Sequence, residues 1–166
     1  GYVWLGLSFV LMAFKQTRKT GFLIFGAIFI GAIICNLTLK PFVERLRPCA
    51  VRPDLAILAA CETGFSFPSG HTLSSVIAAT VLTDADRRFA TFAVPLAALI
   101  AFSRLYLFVH FPTDVLASVI LGIAVGVTVW KFGGRGLDRI ASRTATPKNE
   151  PKQSKPRKQD NAPTHR

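Results

Sequence analysis

Acidic residues are scarce in this chain: only 9 of its 166 residues are Asp or Glu. Few carboxylates are therefore left for a magnesium or zinc centre, and metal chemistry is not expected. Charge of either sign is also low. Asp, Glu, Lys and Arg make up 17% of the chain, against roughly a quarter in an ordinary soluble domain. The three cysteines, Cys35, Cys49 and Cys61, include no CxxC pair, so a zinc site is not expected either. Spacing alone favours free thiols at Cys49 and Cys61 over a disulfide, unless their connection faces an oxidising compartment. The first apolar run has no basic segment before it and no small-residue cleavage site after it, which argues against a signal peptide. No nucleic-acid fold motif accompanies the formal net charge of +11, and nucleic acid is not an expected partner.

What the chain does contain is long apolar runs. It is 51% hydrophobic, with a mean hydropathy of +0.41. This predicts an all-α, multi-pass helical membrane bundle, with no room for a second folded domain. Half of the Lys and Arg residues lie from Lys131 onward, a distribution that fits the cytoplasmic side of a bilayer and anionic lipid headgroups. The expected organisation is a membrane domain over residues 1–132 and a disordered cytoplasmic tail over 133–166, rich in Lys, Arg, Pro, Gln and Asn.

Charged turns divide the apolar runs. Gly1 to Phe14 is too short to span comfortably, as though the chain started partway through a helix, and Lys15, Arg18 and Lys19 follow it. Phe22 to Leu39 has spanning length and meets Lys40. The connection from Lys40 to Pro68 carries four cations, Lys40, Arg45, Arg47 and Arg52, on the side where the positive-inside trend disfavours them. Some of them should have another task. Ser69 reads as the N-cap of a short helix through Thr83, and Asp84 to Arg88 as the next inside turn. Phe89 to Phe102, with a kink expected at Pro95, climbs to Ser103 and Arg104, and Val115 to Trp130 returns to Lys131. Alternation then puts Lys40 to His71 and Arg104 to Asp114 on one face of the bilayer, the outer one. About five spans are visible.

Ionisable groups at the mouth of a membrane bundle are costly, and function is their default explanation. His110 and Asp114 are four residues apart, with Thr113 the expected N-cap of the last span, so the carboxylate could reach back to one imidazole nitrogen. That leaves the other nitrogen free to attack. Arg104 could grip an anion bidentately. On the same face, His71 could protonate a departing oxygen. Lys40 and Arg47 add positive charge, and glycine and unpaired backbone N–H groups at Ser69-Gly70 admit an anion to a helix N-terminus. A substrate with several negative oxygens follows, a phosphate above all. Taken singly, Lys40 and Arg47 read better as snorkelling side chains and Ser69 as an ordinary cap; Arg45 and Arg52 are left as snorkelling cations.

Taken together, Lys40, six residues, then Arg47-Pro48; Pro68-Ser69-Gly70-His71; and Ser103-Arg104, five residues, His110, three residues, Asp114 resemble the tripartite phosphatase signature of the type 2 phosphatidic acid phosphatase family. That group also includes glucose-6-phosphatase and the vanadium-dependent haloperoxidases. The resemblance covers about Phe22 to Trp130. It implies a six-span membrane core without a cofactor, so the chain shows one span fewer than the family and its first helix looks truncated. In such a core Lys40, Arg47 and Arg104 clamp the phosphate while Ser69 and Gly70 hydrogen-bond it. His110 forms a phosphohistidine, Asp114 orients His110, and His71 protonates the leaving group. The implied activity is removal of phosphate from a lipid phosphate or diphosphate at the non-cytoplasmic face, in a bacterial cell that of the inner membrane. Three alternatives stay open: transfer to a second lipid, anion binding or transport without cleavage, and a peroxidase using vanadate, which membrane character disfavours.

Overall fold

A computed structural model describes residues 1–55 and 60–145, with only the backbone considered for 140–145. Among the described residues the chain is all-helical. The order is α1 (Tyr2–Ala13), α2 (Arg18–Ile33), single-turn helices α3 (Lys40–Val43) and α4 (Pro48–Val51), α5 (Gly70–Ala85), α6 (Ala90–Tyr106), α7 (Pro112–Thr128) and α8 (Gly134–Ala145). Three stretches are long and apolar enough to cross a bilayer, Arg18–Val51, Arg87–Tyr106 and Pro112–Arg139. Phe9, Phe29, Leu99, Phe102 and Ile120 point outward, as side chains facing acyl chains do. Pro95 lies inside α6 without interrupting it.

The innermost helix is α5, which packs against α2, α6 and α7. Its sequence explains the position: Ser74, Ser75, Ala78 and Ala79 are small and buried, letting neighbouring backbones approach closely, as membrane helices without a water-driven hydrophobic force require. The Trp4 indole donates to Ser75 Oγ at 2.9 Å, tying α1 to the same helix. Glycine lets α7 approach α5 closely. A Cβ on Gly122 would stand 2.8 Å from Val76 Cβ and 3.2 Å from the Leu73 carbonyl. Gly122→Val is therefore expected to force the two helices apart and to destabilise the protein by about 1–3 kcal/mol, seen as a lower Tm in detergent.

Two residues with positive φ turn the chain at the ends of helices. Glu44 (φ 48°) follows α3 and Phe108 (φ 58°) follows α6, a conformation that costs an L-residue roughly 1–2 kcal/mol. The Glu44 N–H donates to the Lys40 carbonyl at 3.0 Å, and the Val109 N–H to the Arg104 carbonyl at 3.2 Å. Each reversal brings the next few residues back over the helix ends, carrying Arg45 and Arg47 in one case and His110 in the other.

Three expectations are corrected. The N-cap of α7 is Phe111, not Thr113, because Pro112 takes the first helical position and Asp114 the third, where its carboxylate accepts from the Phe111 N–H at 2.9 Å. Cys49 and Cys61 form a disulfide: α4 and the segment before α5 run side by side, which a sequence separation of 12 could not reveal. The polar region from 133 is not disordered throughout, since α7 continues through a π-helical turn, Val129–Gly133, into α8. Leu137 packs on the core, and Asp138 pairs with Lys19 at 2.7 Å. Residues 146–166 of the expected tail, and residues 56–59 of the connection between Lys40 and Pro68, lie outside the described residues.

Candidate active site

The starts of α1 and α5, the C-terminal end of α2, the connection between α3 and α5, and His110 just before α7 line a cavity of about 400 Å³. Its polar wall holds Lys40, Arg47, Glu62, Gly70, His71 and His110, and Leu5, Ile28 and Ala32 form an apolar flank. Five of the eight anticipated site residues, Lys40, Arg47, Gly70, His71 and His110, face this space directly. Arg104 reaches it through Glu62, its Nη1 lying 3.6 Å from Glu62 Oε1. Ser69 and Asp114 are fully buried behind the wall. The Ser69 hydroxyl accepts from Thr72 Oγ1 at 3.0 Å, so the α5 N-terminus offers the cavity Gly70 and His71 while Ser69 lies beneath.

Arg47 is 4% exposed and ties three segments together. Its Nε donates to the Gly64 carbonyl at 3.2 Å, and Nη1 to the Val109 carbonyl at 3.2 Å. Nη1 also lies 3.3 Å from His110 Nε2, and Nη2 lies 3.0 Å from Glu62 Oε2. Gly64 has φ 87°, open to glycine, and this turns its carbonyl toward the guanidinium. Glu62 lies between two guanidiniums, its carboxylate 3.0 Å from Arg47 and 3.6 Å from Arg104.

His110 has its Nδ1 2.8 Å from the Ser66 carbonyl. A carbonyl only accepts, so Nδ1 carries the proton and Nε2 presents its lone pair to the Arg47 side of the cavity. Burial first, and the Arg47 guanidinium second, push the His110 pKa down to about 4, against the opposing pull of the Ser66 carbonyl and of Asp114 and Glu62. The imidazole is thus neutral and basic at pH 7.

Asp114 does not orient His110 directly, as the four-residue spacing suggested. Its Oδ2 lies 3.7 Å from Nδ1, beyond hydrogen-bonding distance. The carboxylate is drawn off by other partners: the Phe111 N–H, the Ser66 hydroxyl and, at 2.8 Å, Arg45 Nη1. Ser66 is the joint, its carbonyl holding the imidazole and its hydroxyl holding the carboxylate. Neither Ser66 nor Arg45 stood out in the sequence. The one available signal was the excess of cations on the outer side, which drew attention to the connection but did not single out Arg45.

Comparison with known proteins bears on the family of the chain. The chain is similar to undecaprenyl-diphosphatase of Sulfolobus acidocaldarius, 34% identical over 73% of this chain and 59% of that protein. It is also similar to lipid A 4'-phosphatase of Porphyromonas gingivalis, 30% identical over 78% of this chain and 60% of that one. It therefore spans about three fifths of the length of these two curated relatives. Among solved structures, Aquifex aeolicus LpxE superposes with a TM-score of 0.70 at 30% identity, over 80% of this chain and 78% of the other. The profile of the PAP2 superfamily matches residues 21–136, a range that contains every polar residue of the cavity wall, and the chain belongs to that superfamily.

Proposed function

We propose that this integral membrane protein is a phosphatase that removes a phosphoryl group from a lipid phosphate or lipid diphosphate through a phosphohistidine, without a metal ion. The observation that carries the proposal is the single cavity in which a neutral imidazole, its tautomer fixed, meets two guanidiniums shaped for an oxyanion. The activities of the relatives, an undecaprenyl-diphosphatase and a lipid A 4'-phosphatase, support a lipid substrate. So does the apolar flank beside the polar wall, where an acyl or prenyl chain can lie while its headgroup enters.

The reaction follows from the residues. A phosphate displaces Glu62 from Arg47 and Arg104, with Lys40 and the Gly70 end of α5 adding positive field. It also takes over the Arg47 Nη1 donor, which frees the His110 Nε2 lone pair. Nε2 attacks phosphorus, the P–O bond to the lipid breaks, and His71 gives a proton to the departing oxygen. The new imidazolium charge is compensated by the Ser66 carbonyl and by Asp114 behind it. His71, now neutral, takes a proton from water, whose oxygen attacks phosphorus. The P–N bond breaks, inorganic phosphate leaves, and both histidines return to their starting state.

Both carboxylates of the site are engaged by guanidiniums, Glu62 by Arg47 and Arg104 and Asp114 by Arg45, which favours a metal-free mechanism. Topology favours an outward-facing site. Lys15, Arg18, Lys19, Arg87, Arg88 and Lys131 gather at the opposite helix ends, as the positive-inside trend requires of a cytoplasmic face. The Cys49–Cys61 disulfide lies at the site end, and such bonds persist in oxidising compartments. The test is phosphate release from a panel of lipid phosphates and diphosphates by the protein in detergent. Turnover of at least one substrate, blocked by vanadate and unaffected by EDTA, is the expected result. Release from none refutes the phosphatase reading, and loss with EDTA refutes the metal-free one.

A further inference from the structure

Asp114 is fully buried, at 0% exposure. A carboxylate in that position costs several kcal/mol unless it is paired, and the guanidinium that meets it is that of Arg45. The pairing is closely built. Arg45 Nη1 lies 2.8 Å from Asp114 Oδ1 and donates to Thr113 Oγ1 at 2.7 Å, while the guanidinium stacks 4.0 Å above the Phe111 ring. The Arg45 main chain takes part as well, its carbonyl accepting the Ser66 N–H at 2.8 Å. Arg45 thus reaches both parts of the support beneath His110, Ser66 through its backbone and Asp114 through its side chain. It does not line the cavity.

We propose that Arg45 is a positioning residue of this site, which pairs with Asp114 and keeps Ser66 in place and so holds His110 in its attacking tautomer. The inference rests on the phosphatase reading above for its consequences in turnover, but its electrostatic content is independent of turnover. The charges facing His110 are Arg47 and Glu62 from the connection before α5, and Asp114 from α7, with Arg45 against Asp114; His71 and Lys40 share the cavity wall.

Removing the Arg45 charge leaves a buried carboxylate uncompensated beside an imidazole. A proton is then taken up at higher pH than before. If it goes to His110 the nucleophilic lone pair is lost, and if it goes to Asp114 the support for the imidazolium is lost. Both routes move the acidic limb of activity upward. A purely structural role would lower the amount of folded protein or the overall rate and leave the limb where it was.

The experiment compares Arg45→Gln and Arg45→Lys with the unsubstituted full chain, using lipid phosphate release across pH and the ¹⁵N imidazole resonances of His110 across the same range without substrate. For Arg45→Gln, kcat is expected to fall by about tenfold to a hundredfold, with KM changed less than about threefold. The acidic limb and the His110 titration should rise by about one pH unit. Arg45→Lys, which keeps the charge, should restore the limb and most of kcat. Unchanged kcat in Arg45→Gln, or a lower kcat with limb and titration unmoved, overturns the proposal. Should Arg45→Gln not fold, Arg45→Lys decides, with a limb in its original position and kcat within about tenfold supporting the role and a larger loss of kcat overturning it. Absence of phosphate release by the unsubstituted protein would instead refute the phosphatase reading, and the resonance titration would still decide whether Arg45 governs protonation at His110.

Discussion

Alanine at His110 is expected to reduce phosphate release by at least about a thousandfold while leaving the protein folded in detergent. The imidazole presents its Nε2 lone pair to the Arg47 side of the cavity, because its other nitrogen is held by the Ser66 carbonyl. Its loss removes the covalent route, and the remaining guanidiniums can bind a phosphate but cannot open the ester. KM should therefore change far less than kcat. Alkaline quench of the unsubstituted protein with a radiolabelled substrate should trap phosphate on the polypeptide as an alkali-stable, acid-labile adduct, and the alanine variant should trap none. Undiminished phosphate release by His110→Ala would refute the nucleophilic role; an adduct surviving in the variant would place the attacking atom elsewhere.

What could be read from the sequence was what local chemistry writes into it. Apolar runs ended by Lys15 to Lys19, Arg87-Arg88 and Lys131 predict helices and their alternation, because each helix end is decided by the residues at that end. The motif residues sit at those ends, so alternation alone brings Lys40, Arg47, His71, Arg104 and His110 to one side, and the structure gathers Lys40, Arg47, His71 and His110 around one cavity. The connection between α3 and α5 was not legible. Its contacts to the site run through main-chain carbonyls, Gly64 to Arg47 and Ser66 to His110, and a carbonyl has no side-chain signature. Arg45 was hidden for a related reason: its partner is 69 positions away, and one more cation in a basic stretch is indistinguishable from a snorkelling one. The disulfide depended on the path of the same connection. The helix after residue 133 was masked by composition, since Arg and Gly read as disorder until Leu137 and Asp138 are seen to be fastened to the bundle.

Arg47 yields the second large effect, through a substitution that keeps the charge. As a phosphate clamp alone it should tolerate lysine fairly well, since an ammonium also binds phosphate. The geometry says otherwise. Nε is committed to Gly64, and Nη1 to Val109 and His110, leaving Nη2 as the edge that meets Glu62 and would meet a substrate. Lysine cannot supply a planar fork spanning the Gly64 and Val109 carbonyls and His110 Nε2 at once. Arg47→Lys would leave carbonyls underused in a buried place, at about 1–3 kcal/mol for each lost partner. It would also release the connection that carries Glu62, Gly64 and Ser66. The expected outcome is a loss of kcat/KM of about a hundredfold to a thousandfold, together with a lower Tm in detergent, and with kcat falling more than KM rises because the Ser66 support of His110 is disturbed. A variant that raised KM alone, with kcat and Tm unchanged, would show that Arg47 is only a clamp and that His110 is held without it.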